Sequence, residues 1–165
     1  LAGLPEAVLE EVARALPPSP GVERLMIVLR RMGVRTAILS GGFTYFADRL
    51  CARFGIDEHH ANRLELENGR LTGRVEGRIM DARGKAAMLD ALTREMGLSV
   101  EQTVAVGDGA NDLPMLARAG LGVAYRAKPV VRSAARVALT RSGLDGVLYL
   151  LGLTEEEIEA LSAPD

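Results

Sequence analysis

Val104-Ala105-Val106-Gly107-Asp108-Gly109-Ala110-Asn111-Asp112 decides the reading of this chain. A short apolar run ends in two carboxylates and an amide held among glycines, and a helical pattern follows. That is a buried strand delivering oxygen ligands to the mouth of a site. Asp108 and Asp112 stand four residues apart across a loop-to-helix junction, and such oxygens suit a hard cation such as Mg²⁺. A reading without a ligand is also open. Asp112 can serve as a first-turn acid favoured by the helix dipole, and Asp108 as a turn residue. The strand that feeds straight into Gly-Asp-Gly-Ala-Asn-Asp favours the metal. An EF-hand does not fit, because Ala110 and Ala119 occupy positions where it needs acids. A dinucleotide loop does not fit either, because Asp112 stands at its third glycine position.

Working outward, short apolar strands alternate with helical patterns. Helices are expected over Pro5–Leu16, Val22–Met32, Phe43–Phe54, Ala86–Met96 and Asp112–Ala119, with two more closing the chain from Leu144 and Glu155. Strands are expected over Val34–Leu39, Thr103–Val106, Leu121–Ala124 and Val137–Leu139. Leu64–Glu67 and Leu71–Val75 alternate around Asn68-Gly69, a hairpin signal. The pattern predicts an α/β fold, a parallel Rossmann-like core with helices on both faces and a small β-hairpin at about 62–79. In such sheets ligands bind beyond the carboxyl ends of the strands, and Ser40 and Asp108 both stand there.

Ser40-Gly41-Gly42 follows one strand and precedes a helix, where free amides and a hydroxyl can hold an anion. Ser40 as a mere helix cap is the alternative. A nucleophilic Ser40 is not expected, since Ile38 replaces the first glycine of a G-x-S-x-G elbow. Lys85 follows Gly84 at a helix start, a position the dipole disfavours. A bound phosphate would account for it, and so would a solvated surface lysine. It is not a Walker lysine, because Ile79 and Ala86 break that pattern. His59 and His60 are adjacent on an extended segment, point oppositely and are expected at the surface. Cys51 is expected to be a packing residue.

Composition narrows the class. The chain has 165 residues, 48% hydrophobic and 25% charged, which fits one globular fold. A net charge of −2 argues against a general nucleic-acid or membrane-surface binder. The single cysteine excludes an internal disulfide and fits a reducing cytoplasm. No apolar run is long enough to span a membrane.

Taken together, Leu39 to Phe43, Ala61-Asn62-Arg63-Leu64, the Gly69 to Gly73 hairpin, Gly84-Lys85, Val104 to Asp112 and Ala127-Lys128-Pro129 resemble the phosphoserine phosphatase family of the haloacid dehalogenase superfamily. The resemblance runs from Leu1 to about Gly152. It implies that Ser40 and the Gly41 amide bind the transferring phosphoryl group and that Lys85 neutralises its charge. Asn111 would lie near phosphate and metal. Asp108 would ligate Mg²⁺, while Asp112, counted with it as a metal-site residue, would orient the metal shell. The implied reaction is Mg²⁺-dependent hydrolysis of O-phosphoserine to L-serine and phosphate through a phosphoaspartyl intermediate, a step of serine biosynthesis.

The family's nucleophile lies in an Asp-x-Asp-x-Thr motif on the first, central strand, and no such motif occurs here. Residues 1–16 resemble the last helix of a helical cap, and 17–165 the core. The chain opens on Leu1, so it is expected to begin within a longer gene product, with the central strand and most of the cap missing. Alone it is expected to be inactive. The alternatives are another small-molecule phosphatase or phosphotransferase of the superfamily, or a non-catalytic binding protein that has lost its nucleophile.

Overall fold

The structure, a computed structural model, describes residues 1–163. In chain order the elements are α1 (Ala7–Ala15), α2 (Val22–Arg31), β1 (Ala37–Phe43), α3 (Thr44–Phe54), β2 (Glu58–Glu67), β3 (Arg70–Glu76), α4 (Ala82–Glu95), β4 (Val104–Gly107), α5 (Leu113–Arg118), β5 (Leu121–Tyr125), α6 (Pro129–Ala134), β6 (Val137–Leu139), α7 (Gly146–Leu150) and α8 (Glu155–Ser162). They form two compact units. One joins Leu1–Pro18 to Arg35–Met80; the other joins Ser19–Val34 to the chain from Asp81 onward. The described strands make two three-stranded sheets, β1-β2-β3 and β4-β5-β6.

In the first unit β2 does two jobs. Its first half pairs parallel with β1, from Ala37 opposite Glu58 to Phe43 opposite Asn62. Its second half pairs antiparallel with β3. Asn68 and Gly69 make the hairpin turn with φ of 50° and 72°, the left-handed pair that matches the twist of the flanking strands. Leu9 of α1 packs on Leu64 and Leu71 of the hairpin. Residues 3–6 run along β3, where Leu71 exchanges backbone hydrogen bonds with Gly3 and Leu4.

Two expectations change here. The first strand runs Ala37–Phe43 rather than Val34–Leu39, and α3 starts at Thr44. Asp57 accepts hydrogen bonds from the Thr36 amide and hydroxyl at 2.7 and 2.9 Å, which fixes where the chain enters β1. These bonds, led by the backbone amide of Thr36, hold the Asp57 carboxyl below its usual range. His59 and His60 are half-buried on β2 rather than on the surface. His59 Nε2 lies 2.7 Å from the Asp48 carboxylate and His60 Nε2 lies 3.1 Å from Glu58. The polar Glu58–Asn62 stretch is a strand because β1 pairs with it.

In the second unit β4, β5 and β6 are all parallel. Register places Val106 beside Val123, and Tyr125 beside Leu139, on one face. Ala105, Gly122 and Ala138 fall on the other. The large face meets α2, α7 and α8, whose Leu25, Val28, Leu29, Val147, Leu148 and Ile158 form the core with Val106 and Leu139. The small face admits α5: a Cβ on Gly122 would lie 2.1 Å from the Leu116 carbonyl oxygen. Helices thus cover both faces. Ile158 is fully buried, so Ile158→Ala is expected to cost about 2–5 kcal/mol. Equilibrium unfolding in denaturant measures this; a loss below about 1 kcal/mol would mean that α8 does not seal this core.

Helix α4 begins four residues earlier than the apolar pattern implied. The Asp81 carboxylate caps it by accepting the Gly84 amide at 2.7 Å. Lys85 is therefore inside the first turn. Met96 is exposed, and the buried positions of α4 are Lys85 and Thr93.

Candidate functional site

The groups singled out in the sequence fall in both units, and each cluster is built within its own. In the second unit, β4 ends at Gly107, and the chain passes through Asp108 and Gly109 into a 3₁₀ turn, Ala110–Asp112, that leads into α5. The Asp112 amide closes this turn on the Gly109 carbonyl at 2.9 Å. Its side chain folds back beneath the loop. Oδ2 accepts the amides of Asp108 and Gly109 at 3.1 and 3.0 Å, and Oδ1 accepts Lys85 Nζ at 2.6 Å. Both partners of this ion pair have side chains only 7% exposed.

This pairing explains Lys85. A lysine in the first turn opposes the helix dipole, and a buried ammonium needs a partner; Asp112 meets both needs. Lys85 is not a solvated surface lysine. The fold-back also explains Gly107, since a Cβ there would lie 2.5 Å from Asp112 Cβ. Gly107→Ala is expected to push the Asp112 carboxylate off its partners and destabilise the chain by about 1–3 kcal/mol. An unfolding midpoint unchanged from the parent would show that the loop absorbs the methyl freely.

What Asp112 neutralises, Asp108 does not share. The Asp108 side chain is exposed and no hydrogen bond or ion pair is found for it among the described residues. Asn111 is also exposed, with its Oδ1 only 2.4 Å from where a Gly109 Cβ would stand. The loop therefore presents one free carboxylate and one amide on a rigid backbone. No group of three or more His, Cys, Asp or Glu that could hold a metal gathers among the described residues. Mg²⁺ is commonly bound through one or two carboxylates together with waters and substrate phosphates.

In the first unit, β1 arches at Ser40–Gly42. The ladder resumes with Phe43 opposite Asn62 after Leu39 opposite His60, so four steps of β1 match two of β2. Ser40 Oγ accepts the Gly42 amide at 2.9 Å, and so the hydroxyl serves the arch rather than capping α3, whose N-cap is Phe43. The Gly41 carbonyl accepts Asn62 Nδ2 at 2.8 Å, and Asn62 Oδ1 accepts the Met80 amide at 2.7 Å. The sequence reading quoted Asn62 but gave it no role. The available signal was a polar residue ahead of an alternating strand, and its burial comes only from the fold. Cys51, on α3, is half-buried. Burial pushes its thiol up.

Residues 1–117 match the profile of the haloacid dehalogenase-like hydrolases. The chain belongs to this family. It is 51% identical over 160 residues to a phosphoserine phosphatase of Streptomyces coelicolor, covering 97% of this chain and 39% of that protein. It is 47% identical over its full length to phosphoserine phosphatase SerB2 of Mycobacterium tuberculosis, covering 40% of it. The crystal structure of a probable phosphoserine phosphatase from Vibrio cholerae in unliganded form superposes with a TM-score of 0.88 at 42% identity, over 98% of this chain and 49% of that one. The chain thus spans about two-fifths of the length of these two curated relatives. No helix among the described residues is long and apolar enough to cross a membrane.

Proposed function

We propose that this chain is the phosphate- and metal-binding part of a cytoplasmic phosphoserine phosphatase that hydrolyses O-phosphoserine to L-serine and phosphate. One observation carries the reading. The loop after β4 buries Asp112 against Lys85 and the loop amides while leaving the Asp108 carboxylate unpartnered. A neighbouring pair of aspartates is thereby split into a holder and a free ligand. The identity of 41–51% to proteins named phosphoserine phosphatase supports the substrate.

In this reading Asp108 is the residue that would hold Mg²⁺, and Asp112 orients the loop that carries it. When bound, the ion supplies charge neutralisation on the phosphoryl oxygens. Lys85 keeps two ammonium donors beyond its bond to Asp112, and these serve the phosphoryl group. Ser40 and the Gly41 amide are the phosphate-binding groups assigned to the first unit, and Asn111 is assigned with Lys85 in the second. The carboxylate that accepts the phosphoryl group is assigned to a residue outside these 165, because no Asp-x-Asp occurs within them.

The test is phosphate release from O-phosphoserine. The complete protein is expected to turn over with Mg²⁺ and to stop on chelation, while the pure 165-residue chain releases none. Turnover by that chain alone would overturn the assignment of the nucleophile. A complete protein that hydrolyses other phosphomonoesters but not phosphoserine would overturn the substrate.

A further inference from the structure

We infer that Asn62 is a positioning residue for the phosphate-binding segment, clamping the Gly41–Gly42 peptide so that the β1 arch has one orientation. The inference rests on the proposed phosphate role of Ser40 and Gly41, and it assigns a role to a residue outside that set.

The arch creates the need. Where β1 leaves its register between Leu39 and Phe43, three residues face Ala61 alone, and peptide groups leave the regular ladder. A peptide group that leaves the ladder must find another partner, protein or water, and two exposed glycines in a row leave the backbone free to rotate. Both ends of the Gly41–Gly42 peptide are nevertheless bonded. Its carbonyl accepts Asn62 Nδ2, and its N–H donates to Ser40 Oγ. Asn62 is itself only 5% exposed, and its other amide atom takes the Met80 N–H. Both ends of the side chain are thereby fixed, so it has no freedom to turn away.

The chemistry requires an amide. Only a group that donates at one end and accepts at the other satisfies a carbonyl and an N–H together. Aspartate has the same shape and keeps the acceptor for Met80, but it turns an oxygen toward the Gly41 carbonyl. Asn62→Asp therefore removes the clamp specifically.

The experiment compares Asn62→Asp and Asn62→Ala with Leu64→Ala in the complete protein. Leu64 packs with Leu9 and Leu71 in the same unit, in a cluster that Phe43 at the end of the arch also joins, so its truncation lowers stability there without removing either hydrogen-bond partner of the Gly41–Gly42 peptide. Two quantities are read: affinity for inorganic phosphate, and amide exchange of segment 39–43. Both Asn62 variants are expected to lose phosphate affinity at least tenfold and to speed exchange in that segment, while Leu64→Ala keeps affinity within twofold. Phosphate affinity within twofold of the parent in Asn62→Asp, or an equal loss in Leu64→Ala, would overturn the inference. The exchange readout needs no phosphatase activity. Faster exchange confined to the Asn62 variants, in a protein that does not hydrolyse phosphoserine, would uphold the clamp and sink the proposed function instead.

Discussion

Asp112→Ala is expected to destabilise the protein by about 3–5 kcal/mol, the range for breaking a buried ion pair from one side. The variant strands the Lys85 ammonium in a site where the pair is 7% exposed. It also removes the acceptor from the Asp108 and Gly109 amides. Lys85→Ala should cost less, because the remaining carboxylate keeps its two amide donors. The double variant should cost less than the sum of the two, since the residues share one interaction. Denaturant unfolding of the four proteins measures this. A loss under about 1 kcal/mol for Asp112→Ala would mean that water replaces the pair without difficulty.

Asp108→Asn should behave in the opposite way. Its carboxylate is exposed and without a partner among the described residues, so stability should move by no more than about 0.5 kcal/mol. Under the proposed role of Asp108, activity of the complete protein should fall by about a hundredfold or more, because a ligating charge worth several kcal/mol in the transition state would be gone. The dependence on Mg²⁺ concentration should shift to higher values. Unchanged turnover with unchanged metal dependence would remove Asp108 from the site. Under the proposed function, the two aspartates, four residues apart, separate holding the loop from serving the chemistry.

Legibility followed the range of the interactions. The β6 segment Val137–Leu139, the Asn68-Gly69 turn and the α8 start at Glu155 were all readable, because each is set by local pattern or turn chemistry. Helix α6 is not legible in the sequence, because six residues beginning at Pro129 show too little periodicity. The Glu58–Asn62 half of β2 is not legible either, since its histidines and glutamate do not alternate with apolar residues. That half is a strand only because β1, twenty residues earlier, pairs with it.

The sequence by itself determined the α/β class, the two loops that carry the candidate chemistry, and the absence of an Asp-x-Asp motif within these residues. Those properties are written in apolar periodicity, glycine placement and residue identity, which a linear reading contains. Only the tertiary structure decided which of two aspartates is neutralised, that Lys85 is buried, and that Asn62 holds the Gly41 carbonyl. Each depends on a partner distant along the chain: Lys85 bonds a residue 27 positions away and Asn62 one 21 positions away. Charge pairing and burial are fixed by proximity in space, and proximity across such separations exists only once the strands and helices have packed.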